Sequence, residues 1–376
     1  SNPVLAGLLG DGIIGGVGAV LTFVPQILLM YLLLALLDAV GYMSRAAFLM
    51  DKVMSRAGLE GRAFVAMLSS FACAIPGIMA TRTIPSAKDR IATMLGVPLA
   101  TCSARLPVYV LLVGMLIPNA AQVGPFSGRG VAMFLLYLLG AVSAMTAAWV
   151  VKKITDRSGL LLPFYMEMPP YRIPTLRSVG IAMWEPTKAF LHKAGTIIML
   201  TTIIIWALTT FPMRSNAELT KAGIDPGNDV AVAAYTMDHS IAARVGKAVE
   251  PVFEPLGFDW RVDVSLIGSL AAREVAVSSL GQLASATAPE AESDVAQQLD
   301  RWTWTHGEHQ GEKIFTPATI VALILFFAYA LQCMSTVAIM KRETGGRKWP
   351  AIAFGYMFVL AWMMAFIGHL VTNLLI

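Results

Sequence analysis

Eight apolar stretches divide the chain: Ala19–Val40, Ala63–Thr81, Ile91–Pro118, Val131–Val151, Ala194–Pro212, Val264–Ser285, Pro317–Met340 and Pro350–Ile376. Most reach the roughly 20 apolar residues a helix needs to cross a bilayer. Two are weaker. Ala63–Thr81 is interrupted by Ser69, Ser70, Pro76 and Gly77, and Val264–Ser285 carries Arg273 and Glu274 at its centre with Gly268 and Gly281. Lysine and arginine are spread unevenly over the connections. Gly41–Arg62 holds four, Arg82–Arg90 three, Lys152–Lys193 seven and Lys341–Lys348 four. The first seventeen residues hold none, Asn119–Gly130 one, Met213–Asp263 five and Ala286–Thr316 two. Basic connections stay on the cytoplasmic side, so the first group is expected inside and the second outside. Eight alternating spans break that rule, because Arg82–Arg90 would lie opposite Gly41–Arg62. The rule holds if the two weak stretches are re-entrant, Ala63–Thr81 dipping from the cytoplasm and Val264–Ser285 from outside.

This division predicts an all-α integral membrane protein of two inverted repeats. Each has one re-entrant or broken gate helix plus three spanning helices, an arrangement recurrent in secondary transporters. The first repeat covers residues 1–151 with its gate at 63–81. A cytoplasmic amphipathic connector covers 152–193. The second repeat covers 194–376, with its gate at 264–285 and an external loop at 286–316. The N-terminus is expected outside. Ser1-Asn2 shows no basic signal-peptide region, so the chain is expected to start after a tag scar or an internal cut.

Composition agrees with the membrane assignment. The 376 residues are 56% hydrophobic and 14% charged, with mean hydropathy +0.66, against about 25% charged in soluble domains. The net charge of +4 lies in short loops between apolar runs and does not point to nucleic acid. Three cysteines are an odd count inside apolar runs, so a disulfide framework is not expected. No phosphate-binding loop or hydrolase motif is present, and nothing proposes an enzyme.

The chemistry concentrates at those cysteines. Lipid offers no hydrogen bonds, so broken helices and charges at membrane depth must face protein or a water-filled path. A thiol is also a soft metal ligand. Cys73 precedes Pro76 and Gly77, which free backbone carbonyls; thiol and carbonyls together would suit a dehydrating cation. Cys102 is followed by Ser103, Arg105 and Pro107, and Cys333 by Met334, Ser335 and Thr336. Each cysteine alone is also a small residue that packs well at a helix break. Arg105 costs about 3 kcal/mol at mid-bilayer and needs a partner, for which Asp38 and Glu274 are the nearest candidates by depth. Arg105 repels a cation, so it reads as structural or as a gate latch. Arg273-Glu274 is either an internal ion pair or a gate support. Met79 and Met334 add thioethers to the candidate metal ligands Cys73, Cys102, Cys333 and Ser103. His306 and His309 lie in an acidic loop, where a solvated segment and a cation collector are both open readings.

Motifs along nearly the whole chain carry a resemblance. Asp11-Gly-Ile-Ile-Gly-Gly-Val-Gly18, Phe23-Val-Pro-Gln26, Gly41-Tyr-Met-Ser-Arg45, Met50-Asp51, Cys73-Ala-Ile-Pro76, Asp89-Arg90 and Cys102-Ser-Ala-Arg105-Leu-Pro107 resemble the bacterial ferrous iron transporter B family. So do Pro169-Pro-Tyr-Arg-Ile-Pro174, Lys193-Ala-Gly-Thr196, Leu256-Gly-Phe-Asp-Trp260, Ala272-Arg-Glu274 and Lys341-Arg-Glu-Thr-Gly345. The resemblance implies Fe(II) as cargo, with no permanently bound cofactor, moved inward across the bacterial cytoplasmic membrane. It also implies a G-protein domain in cis or as a separate chain, small cytoplasmic accessory proteins, membrane lipid as surroundings and a homo-oligomer as an option. Cys73, Cys102 and Cys333 are the positions it assigns to the iron path, with Pro76, Gly77, Arg105, Arg273, Glu274 and Asp38 in gate or support positions. The chain departs from the family in three places. Ala72 and Ala74 stand where the family has Gly and Asn around Cys73, Asp38-Ala39 replaces Glu-Asp, and Arg273 replaces Lys. Neither the G domain nor the family's first spanning helix is in this sequence. Two other readings stay open: a permease for another divalent metal or a nucleoside-like solute, and a non-transporting scaffold or sensor partnered with a GTPase.

Overall fold

A computed structural model describes residues 14–155 except 57 and 119, then 175–210, 232, 235, 236, 238–270, 273, 275–287, 295–305 and 309–375. The described residues are about 82% helical. The first half contains α1 (Gly15–Ala39), α2 (Tyr42–Arg56), α3 (Gly61–Ala72), α4 (Ala74–Ala80), α5 (Ala87–Gly96), α6 (Leu106–Leu116) and α7 (Gly128–Thr155). The second contains α8 (Leu176–Thr210), α9 (Ile241–Phe253), α10 (Trp260–Ser269), α11 (Val275–Thr287), α12 (Val295–Asp300), α13 (Pro317–Tyr329), α14 (Met334–Thr344) and α15 (Lys348–Leu375). A two-residue β-hairpin joins α6 to α7.

Among the described residues, α7, α15 and the combined run Ala87–Leu116 are long and apolar enough to cross a membrane. The pair Ile27–Ala39 and Tyr42–Arg56 is a fourth candidate, bent by 78°. Gly41 makes that bend with φ of +79°, a backbone that only glycine adopts without strain. The outward faces of α7 and α15 expose Phe134, Leu135, Leu138, Val142, Val359, Met363, Ile367 and Leu370. Such continuous apolar surface belongs against lipid, and the chain is an integral membrane protein. Small residues line the inward faces: Gly140, Ala144 and Ala148 on α7, and Ala353, Ala361 and Ala365 on α15. Four-residue spacing of small side chains lets helix backbones approach closely. At Gly96 an added Cβ would lie 2.6 Å from the Ala144 carbonyl.

The weak stretch Ala63–Thr81 is a helical hairpin. A straight helix places residues eleven apart about 16 Å from each other. Here a Cβ on Gly77 would lie only 2.8 Å from the Ala66 carbonyl oxygen, so α4 doubles back along α3. Arg62 at the entry donates to Thr83 O at the exit at 3.2 Å. The turn lies between Ser69-Ser70 and Pro76-Gly77. It falls at Cys73, with φ −157° and ψ 138°, because proline in the first turn of α4 lacks a donor that would be unused anyway.

Two stretches expected as continuous helices are broken. Ile91–Pro118 opens between α5 and α6 into 3-10 turns at Val97–Leu99 and Ser103–Arg105. Pro98 and Pro107 each remove a backbone donor there. Pro317–Met340 opens at residues 330–333 without any proline. Cys102 and Cys333 therefore stand in extended backbone at the two breaks, with ψ of 163° and 98°, and not along helices. The second weak stretch is interrupted between α10 and α11, where Arg273 is described and Glu274 lies outside the described residues. Of the connector 152–193, residues 156–174 lie outside them too, as does His306 in the loop expected outside. His309 contacts Glu312 at 3.1 Å.

Candidate metal path

The cysteine breaks expose carbonyls that need donors, and polar side chains from the same or another break supply them. Pro76 has no N–H for Ala72 O, its partner four residues back. The Ser103 hydroxyl donates to that oxygen at 2.8 Å. Ser103 follows Cys102 and Ala72 precedes Cys73, so one hydrogen bond brackets the first two cysteine positions. Arg273 makes the second connection. Its guanidinium donates to Cys102 Sγ at 3.5 Å and to Ala330 O at 3.1 Å. Ala330 opens the break that holds Cys333. The three breaks are thus joined through two side chains, one from each half.

Arg105 is fully buried. Its guanidinium donates to Leu99 O at 3.1 Å, Ala100 O at 2.9 Å and Pro98 O at 3.2 Å. Its partners are the carbonyls released by the α5–α6 break, and not Asp38 as its depth suggested. Asp38 is exposed at the end of α1. Arg105 lies within electrostatic reach of Arg273, Cys102 and Cys333. The region therefore combines two guanidinium groups with two thiols.

The thiols differ in access. Cys102 is buried, Cys73 and Cys333 are half-buried, and none is in a disulfide. Met79 and Met334 are exposed on α4 and α14, two helices that pack together. Among the described residues no three His, Cys, Asp or Glu side chains converge to hold a metal. The arrangement is a series of separate soft donors beside carbonyls held by Ser103, Arg105 and Arg273. Gln332 was not singled out from the sequence. It is buried, both its amide atoms lack hydrogen-bond partners, and it lines an apolar cavity of about 210 Å³ with Phe253, Leu270 and Phe358. An amide beside Cys333 in an apolar run was the signal available.

The cytoplasm-assigned ends of the two halves also meet. Arg82, just past α4, grips the Glu343 carboxylate with two nitrogens, and Arg90 Nη2 reaches it at 2.8 Å. These contacts hold the Glu343 carboxyl below the usual carboxylate range, with the Arg82 hydrogen bond as the largest cause.

A family model described as "Gate: Nucleoside recognition" matches residues 20–116 and 191–347, and one described as "Ferrous iron transport protein B C terminus" matches residues 133–185. The Fe(2+) transporter FeoB of Leptospira interrogans is 41% identical over 370 residues, covering 98% of this chain and 51% of that protein. The chain belongs to the ferrous iron transporter B family. The family's Campylobacter jejuni member, also named Fe(2+) transporter FeoB, is 36% identical over all of this chain and 57% of its own length. A Porphyromonas gingivalis relative is named as a fusion of Fe(2+) transport protein A with Fe(2+) transporter FeoB; it is 39% identical over 96% of this chain and 44% of its own length. The chain spans about half the length of these relatives. No solved structure matches.

Proposed function

We propose that this chain is the permease part of a ferrous iron transporter. Fe(II) passes inward across the bacterial cytoplasmic membrane, exchanging water for thiol, thioether and carbonyl donors in succession at Cys333, Cys102 and Cys73. The observation that carries the reading is the linkage of all three cysteine breaks through Ser103 and Arg273. Arg273 sits on Cys102 as a cation would, so a metal reaches that sulfur only when the segment between α10 and α11 withdraws. That gives the gate a defined latch.

The two halves read as inverted repeats with the boundaries 1–151 and 194–376. Each runs through an amphipathic helix, a gate broken in the middle, a broken helix with cysteine at its break, and a small-residue spanning helix. The packing is reciprocal: α14 lies on α4 of the first gate, and α6 lies on α11 of the second. The relatives' greater length and the fused transport protein A support a G-protein domain and small accessory proteins as partners.

The test is Fe(II) uptake into proteoliposomes with Cys73, Cys102 and Cys333 each changed to Ser. Uptake is expected to fall at least tenfold for Cys102→Ser, equivalent to about 1.4 kcal/mol. Undiminished flux in all three variants would sink the cysteine path, and equal flux of Mn(II) or Zn(II) would broaden the cargo.

A further inference from the structure

Asp263 lies on α10, one turn after the Asp259 that caps this helix. Its side chain is completely buried, and neither carboxylate oxygen has a hydrogen-bond partner. The basic side chains of the neighbouring elements are committed elsewhere. Arg261 binds Asp259 and Thr303 O, both at 2.6 Å. Lys247 binds Asp238 at 2.9 Å, Arg273 binds Cys102 and Ala330, and Arg244 is exposed. On α8 the charged residues end at Lys193, about four turns before Leu208 joins this core. Helix α11 has no charged residue.

The ionisable groups that bear on Asp263 are acidic: Asp259 on its own helix and Glu250 on α9. Desolvation and neighbouring like charge both disfavour an ionised carboxylate. A neutral, protonated carboxyl escapes both penalties. Asp259 is the contrast four residues earlier, since its two oxygens take a guanidinium and the Val262 N–H. Ser265, also buried, has an unpartnered hydroxyl. Two orphaned polar groups thus sit on the helix that leads directly into the second gate.

We propose that Asp263 is the proton-carrying carboxyl of the second gate. It holds a proton in this conformation. A cation entering beside the gate favours the ionised form, so the O–H bond breaks, the proton leaves to water, and the carboxylate remains until the gate closes again. Cation movement is thereby exchanged for proton movement. The inference rests on the transport reading above.

Two measurements on the reconstituted chain test it. Infrared difference spectra at pH 7 are expected to show a protonated-carboxyl band that Asp263→Asn removes and Glu250→Gln leaves in place. Fe(II) uptake in proteoliposomes is then measured with and without an imposed pH gradient. The stimulation by the gradient should be lost in Asp263→Asn and recovered in Asp263→Glu. Asparagine matches the shape of the neutral acid, which keeps the fold. If the band survives in Asp263→Asn, or the gradient drives that variant as well as the parent, the proposal is overturned. A band that depends on Asp263 without any Fe(II) flux in the parent would leave the proton site standing and remove the transport reading. Flux without the band would do the reverse.

Discussion

At the scale of single residues, the decisive side chains are donors that answer carbonyls. Arg105 is the clearest case: a buried cation whose partners are three backbone oxygens of one broken helix. Arg105→Met should cost at least about 3 kcal/mol, since it strands several buried acceptors at once. The unfolding midpoint in detergent checks this, and a shift no larger than for an exposed arginine would show that the break holds itself. Sequence could flag Arg105 as needing a partner, but it could not name that partner. Carbonyls released by a break leave no letter in the sequence, whereas Asp38 and Glu274 do. The same blindness hid the Ser103 to Ala72 bond. The polar neighbours of Cys102 and Cys73 were visible, but their mutual contact depends on two bends meeting.

At the scale of elements, punctuation in the sequence told part of the story. Ser69, Ser70, Pro76 and Gly77 correctly marked Ala63–Thr81 as something other than a plain span, and it is a hairpin. The breaks beside Cys102 and Cys333 escaped because their stretches are apolar and of membrane length. The break at 330–333 has no proline to announce it; Arg273, from another element, takes the Ala330 carbonyl there. Gly77 tests the hairpin. A new Cβ would meet the Ala66 carbonyl at 2.8 Å and Ser70 Cβ at 2.9 Å, so Gly77→Val should destabilise by about 1–3 kcal/mol through overpacking. Gly114→Ala on α6 has open space around it and should change stability by about 1 kcal/mol or less. Thermal unfolding of the two variants side by side separates crowding from helix propensity.

At the scale of the molecule, Glu343 fastens the end of the first hairpin to the second half through Arg82 and Arg90. Its carboxyl is held down by these partners, so the clasp contributes stability above the unfolded carboxylate value of about 4.3. That contribution disappears as pH falls through the lower folded value. Glu343→Gln should lower the unfolding midpoint at pH 7 and flatten its decline below pH 5; parallel pH curves for variant and parent would dismiss the clasp. The paired guanidinium groups of Arg105 and Arg273 have one further consequence, an electrical one. A divalent ion about 6 Å from either faces roughly 5 kcal/mol of repulsion at an effective dielectric of 20. Alkali cations meet about half of that, and have little affinity for sulfur to offset it. In the proposed permease, a closed Arg273–Cys102 contact would therefore keep cations from leaking along the path and draining the membrane potential.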